Sequence, residues 1–121
     1  MIHHKKLVRS FGYAWEGVFY VLSHDQNLRI HGLIGLATLI LGLFLGISSY
    51  EMGLLVITIF FVFVAEMLNS AVEKVVDLIT TEHRIEAKIA KDIAAGMVLV
   101  AAMGSIIVGL FIFLPHLLAL L

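Results

Sequence analysis

The chain has 121 residues, 61% of them hydrophobic and 14% charged, with a mean hydropathy of +1.07; a soluble domain of this length needs a far more polar surface. The absence of cysteine excludes a disulfide framework and thiol chemistry, and a formal charge of −1 points to no nucleic-acid partner. One proline, ten glycines and the lack of short alternating segments favour helices over a transmembrane β-barrel.

Residues 1–10 are basic, but no apolar segment of the signal-peptide kind follows, so no cleavable leader is expected, and His3 and His4 are given no role. Residues 5–28 form the first predicted element. Within it Leu7, Phe11, Trp15, Val18 and Leu22 fall inside an arc of about 80° on a 3.6-residue helix, while Arg9 and Glu16 lie opposite. With Lys5, Lys6 and Arg9 at its start it reads as a helix lying in the membrane interface; a soluble amphipathic helix packed on the spans is the alternative.

Three spans follow. Residues 32–50 carry no charge and as a helix would extend about 28 Å, close to the bilayer core. Residues 52–72 carry only Glu66, and residues 93–121 hold no Asp, Glu, Lys or Arg. The corresponding helices are placed at roughly 30–49, 52–79 and 86–118, the last two outrunning the bilayer. A turn is expected at Ser48, Ser49, Tyr50 and Glu51, and a polar connection at 77–92. Three spans put all eight Lys and Arg residues on one side, which the positive-inside rule makes cytoplasmic, along with the N-terminus. Small residues at Gly42 and Gly46, and at Ala101, Ser105 and Gly109, allow close helix approach, within one chain or between copies.

The second span carries Glu66, Asn69, Glu73 and Asp77, which share one helix face of about 80°. A carboxylate at the bilayer centre costs at least about 2.5–3.5 kcal/mol, so the row needs a hydrated or paired surface. One reading is hydrogen bonding that only specifies packing; the other is a site. Glu66 lies about 21 Å below the outer end of its helix and Glu73 about 10 Å further on, so the row runs from lipid depth to water. Lys91 and Asp92 open the third span on the same side. Carboxylates with a lysine suit a magnesium nucleotide, and no GxxxxGK[ST] motif is present. On residues alone, a proton-coupled transporter using Glu66, or a non-enzymatic assembly subunit, also stands.

The segment AEMLNSAVEKVVDLITTEHRIEAKIAKDIAAGMVLVAA, residues 65–102, resembles the small bacterial integral-membrane lipid kinases, the diacylglycerol kinase and undecaprenol kinase family. Its E-x-x-N-[ST]-A-[IV]-E-x-x-[VI]-D half, its A-K-D-x-[AG]-[AS]-[AG]-x-V-L half and their separation all agree, and weaker similarity covers 11–17 and 27–31. The resemblance implies an all-α homotrimer in the bacterial cell membrane, each protomer a single domain over residues 1–121 with three spans and an interfacial helix, that phosphorylates a lipid alcohol with ATP and Mg²⁺. It implies that Glu66 is the general base and Asn69 its neighbour, that Glu73 and Asp25 are metal carboxylates, and that Lys91 and Asp92 are nucleotide-site residues. Tyr13 and the Glu82–Arg84 stretch, with His83, match lesser nucleotide contacts, and Lys6 sits where an Arg can reach the nucleotide. The family usually has Glu where this chain has Asp25, four residues before Arg29. Residues 27–31, the run 87–96 and Phe113-Leu114-Pro115 resemble the undecaprenol kinase branch.

Overall fold

The computed structural model describes all residues, Met1–Leu121, as four helices joined by short connections. Helix α1 is His4–His24, α2 Gln26–Leu45, α3 Ser49–Ile79 and α4 Ile85–Leu118. The last three are each long and apolar enough to cross a membrane.

α1 buries none of its residues; Leu7, Phe11 and Trp15 stay more than half exposed. An apolar stripe that its own chain leaves uncovered belongs at a lipid surface. The sequence reading carries this helix to residue 28, but the structure breaks it at Asp25, whose backbone is extended. Asp25 Oδ1 accepts the amide hydrogens of Asn27 at 2.8 Å and Leu28 at 3.4 Å, so the residue ends α1 and caps α2. Asp is among the best N-cap residues, and a count of charge-free positions cannot register it.

The α2–α3 turn also comes earlier than the sequence reading places it. Gly46 adopts φ 67°, the left-handed region. Its amide donates to the Leu43 carbonyl and that of Ile47 to the Gly42 carbonyl, the paired bonds of a Schellman motif. The Ser48 hydroxyl then accepts from the Glu51 amide while the Glu51 carboxylate accepts from the Ser48 amide, a capping box that starts α3 at Ser49. Gly46 is therefore a helix stop and lies in no helix–helix contact.

α3 and α4 pack most closely. Leu55 on α3 meets Ile112 and Phe113 on α4 toward the turn end, and Val62 and Ala65 meet Val98 and Ala101 further along. Small side chains at Ala65 and Ala101 are what allow the approach. At the turn end His116 Nε2 lies 3.1 Å from Glu51 Oε2, tying α4 to the start of α3. α2 crosses close to α3 at Gly35, where a Cβ would lie 3.0 Å from Ile59 Cγ2. At 31 residues α3 runs about 46 Å and outreaches a bilayer core of about 30 Å, so its last turns project beyond the apolar layer.

Candidate active site

The polar row on α3 forms a gradient. Glu66 is 1% exposed, Asn69 is half-buried, and Glu73 and Asp77 are exposed. Neither carboxylate oxygen of Glu66 has a hydrogen-bond partner, nor has Oδ1 of Asn69, although all three atoms are sealed from solvent. Leaving such a group unpartnered costs on the order of 1–3 kcal/mol, more for a charge, so three together one turn apart are unusual outside a functional site. His31 on α2 places Nε2 3.2 Å from Glu66 Oε1, near enough for Coulombic attraction but not aligned as a hydrogen bond.

One turn further along α3, Asp25, Asn69 and Glu73 line a cavity of about 230 Å³ with Ser70, Lys74, Tyr20 and His24. The second Asp25 oxygen, Oδ2, accepts from the Ser70 hydroxyl at 2.9 Å. Lys74 sits 5.5 Å from the centre of the Tyr20 ring, which itself stacks on His24 at 4.1 Å, so a cation–π contact pins the end of α1 over this cavity. Two carboxylates with only oxygen neighbours suit a hard cation such as Mg²⁺, which takes one or two protein carboxylates and completes its shell with phosphate and water oxygens. No cluster of three or more metal-ligating side chains is preassembled, and a nucleotide-borne magnesium does not require one.

Lys91 and Asp92 lie elsewhere. With Glu82, His83 and Arg84 they line a cleft of about 500 Å³ beneath the α3–α4 connection, and it shares no lining residue with the Asp25–Glu73 cavity. Lys91 Nζ donates to Asp77 Oδ1 at 2.7 Å, Lys88 pairs with Asp92, and the Arg84 guanidinium pairs with Glu82. Asp77, the fourth member of the row, is thus the partner of Lys91 on the neighbouring helix. Lys6 and Tyr13 remain exposed on α1 and line neither cavity. A single chain therefore unites Asp25, Asn69 and Glu73, unites Glu82, His83, Arg84, Lys91 and Asp92, and leaves the two groups apart. His31, Ser70 and Lys74 were not picked out as site residues by sequence reasoning. Ser70 and Lys74 adjoin Asn69 and Glu73 on α3, whereas nothing periodic links His31 on α2 to Glu66.

A family model described as prokaryotic diacylglycerol kinase matches residues 12–113. The chain is 43% identical over 116 residues to a diacylglycerol kinase of Synechocystis, covering 95% of this chain and 66% of that relative's length, just under two thirds. It is 40% identical over 112 residues to the undecaprenol kinase of Bacillus subtilis, covering 93% and 91%. To the diacylglycerol kinase of Escherichia coli strain K12 it is 27% identical, covering 92% and 91%. The matched region takes in the whole α3 row, Asp25 and the Lys91–Asp92 pair, and the chain belongs to the prokaryotic diacylglycerol kinase family.

Proposed function

We propose that the chain transfers the γ-phosphoryl group of ATP to the hydroxyl of a membrane lipid alcohol, with undecaprenol the preferred acceptor. The observation that carries this reading is the sealed, unpartnered carboxylate of Glu66 beside the unpartnered Oδ1 of Asn69. A buried acceptor without a donor is what a substrate hydroxyl would satisfy. As that hydroxyl attacks the γ-phosphorus in line, its proton passes to Glu66, the oxygen–phosphorus bond forms, and ADP departs. Asn69 orients the hydroxyl or the Glu66 carboxylate.

Asp25 and Glu73 would hold Mg²⁺, which when bound bridges phosphate oxygens and offsets their charge. Lys91, drawn from Asp77, supports the β- and γ-phosphates, while Glu82, His83, Arg84 and Asp92 contact the nucleoside. Lys6 and Tyr13 belong to the same nucleotide site if α1 of one protomer closes over another. The chain then acts as a homotrimer in the bacterial cytoplasmic membrane, with its N-terminus on the cytoplasmic side. The preference for undecaprenol rests on residues 27–31, 87–96 and 113–115, because relatives with either substrate name stand at similar identity.

The test is phosphate transfer from ATP to undecaprenol and to diacylglycerol, side by side, in detergent micelles. Undecaprenyl phosphate should form faster, and a faster yield of phosphatidic acid would reassign the chain to diacylglycerol. Glu66→Gln is expected to lose about a hundredfold or more in rate while melting no lower than the unsubstituted chain, because it removes a buried charge without changing shape. Activity persisting within about tenfold would remove Glu66 as the base.

A further inference from the structure

A general base that ends each turnover protonated must release that proton before the next. Glu66 has no direct route for it, since the side chain is 1% exposed and neither oxygen meets a donor or acceptor in alignment. One ionisable side chain touches it. His31 Nε2 stands 3.2 Å from Oε1 and, unlike Glu66, is 26% exposed. Its backbone lies six residues into α2 from the Asp25 cap, about 9 Å along the helix, near the end of the bundle that carries the basic residues. The same ring borders the cleft between the three spans, lined by Gly35, Thr38, Thr58 and Ser105 among apolar side chains.

From this geometry we infer that His31 is the proton relay of Glu66, a positioning residue that acts through the carboxylate. The inference rests on the kinase reading above. After transfer, the Glu66 O–H bond breaks and its proton binds Nε2 of neutral His31; the imidazolium then loses a proton to interfacial water, and both groups return to their starting states. The loose alignment of the pair is no obstacle, because catalytic hydrogen bonds often tighten only with substrate in place. The remaining charged groups acting on Glu66 are Asp25 at the α2 cap and Glu73 along α3. α4 meets this stretch with Val98 and Ala101, which cannot carry a proton.

The experiment compares His31→Gln and His31→Ala with the full-length parent chain in micelles, with ATP and lipid alcohol each varied. His31→Gln keeps volume and a hydrogen-bond donor but cannot shuttle a proton. Both variants are expected to lose about tenfold or more in kcat, with KM for ATP and lipid little changed. Added imidazole should restore part of the His31→Ala rate, and across methylated imidazoles the rescue should track the basicity of the added base. In the Glu66→Gln background, His31→Ala should cost nothing further. Parental kcat in His31→Gln would overturn the relay and leave His31 a packing residue, as would a His31→Ala rate indifferent to imidazole. If His31→Ala fails to fold, the His31→Gln rate decides alone. A parent chain inert toward every lipid alcohol would overturn the kinase reading, and the relay with it.

Discussion

Asp25 carries two tasks on one short side chain. Oδ1 caps α2, and Oδ2 faces the cavity of Glu73 while accepting from Ser70. This offers a physical reason for Asp where relatives usually have Glu: the shorter arm can cap the helix it precedes, and Glu is not among the favoured N-caps. The two tasks separate by substitution. Asn caps as well as Asp but binds Mg²⁺ poorly. Asp25→Asn is therefore expected to unfold at the same denaturant concentration as the parent chain while losing most phosphoryl transfer and needing more Mg²⁺. Asp25→Ala should lose both, with about 1 kcal/mol of stability gone as well. Equal stability losses in the two variants, read by denaturant titration, would sink the division of labour.

At the level of elements, the helix ends are set by local chemistry that hydropathy does not see. Gly46 stops α2 in a left-handed conformation, and a Cβ there would meet nothing within 4 Å. The cost of a side chain is therefore purely conformational, about 1–2 kcal/mol for an ordinary L-residue. Gly46→Ala is expected to destabilise by that amount, and Gly46→Asn by less, since Asn tolerates the same region. Gly42 differs: a Cβ would lie 2.8 Å from Ile47 Cδ1, the mobile end of a side chain in the following turn. A thermal-unfolding series placing Gly46→Asn below Gly46→Ala would contradict this account of the turn. The Gly42–Gly46 pair, legible in the sequence as a close-packing motif, thus serves the turn, whereas Ala101 does bring α4 against α3.

For the whole molecule, surface area is the telling quantity. A compact soluble chain of 13.3 kDa exposes roughly 6,500 Å², whereas this one exposes 9343 Å². The excess lies on an uncovered α1 and on the apolar outer faces of the spans, surfaces that lipid or further copies would cover. The separation of the Asp25–Glu73 cavity from the Lys91–Asp92 cleft belongs to the same scale. If the trimer joins the cavity of one protomer to the cleft of the next, two inactive chains can complement each other. Mixing Glu73→Gln with Lys91→Ala protomers in detergent and reconstituting them together is expected to restore about a quarter to a third of parental activity, from protomer pairs in which both defects fall outside the shared site. Mixtures as inactive as either component would place the complete site within one chain.

The sequence by itself determined the number of spans, the amphipathic first helix and the row from Glu66 to Asp77, because each follows from a charge-free length or a helical period. It also determined the family, through motifs at 65–77 and 90–99 whose spacing the chain preserves. Tertiary structure decided what period and composition do not encode: the helix break at Asp25, the stop at Gly46, the pairing of Asp77 with Lys91, and His31 against Glu66. The breaks depend on caps formed by one or two hydrogen bonds, too local to alter hydropathy. The pairings join residues on different helices, and only packing brings them within reach. The row that composition marks as costly is therefore graded by the fold, from a sealed carboxylate with a histidine at its side to an exposed one neutralised by a lysine.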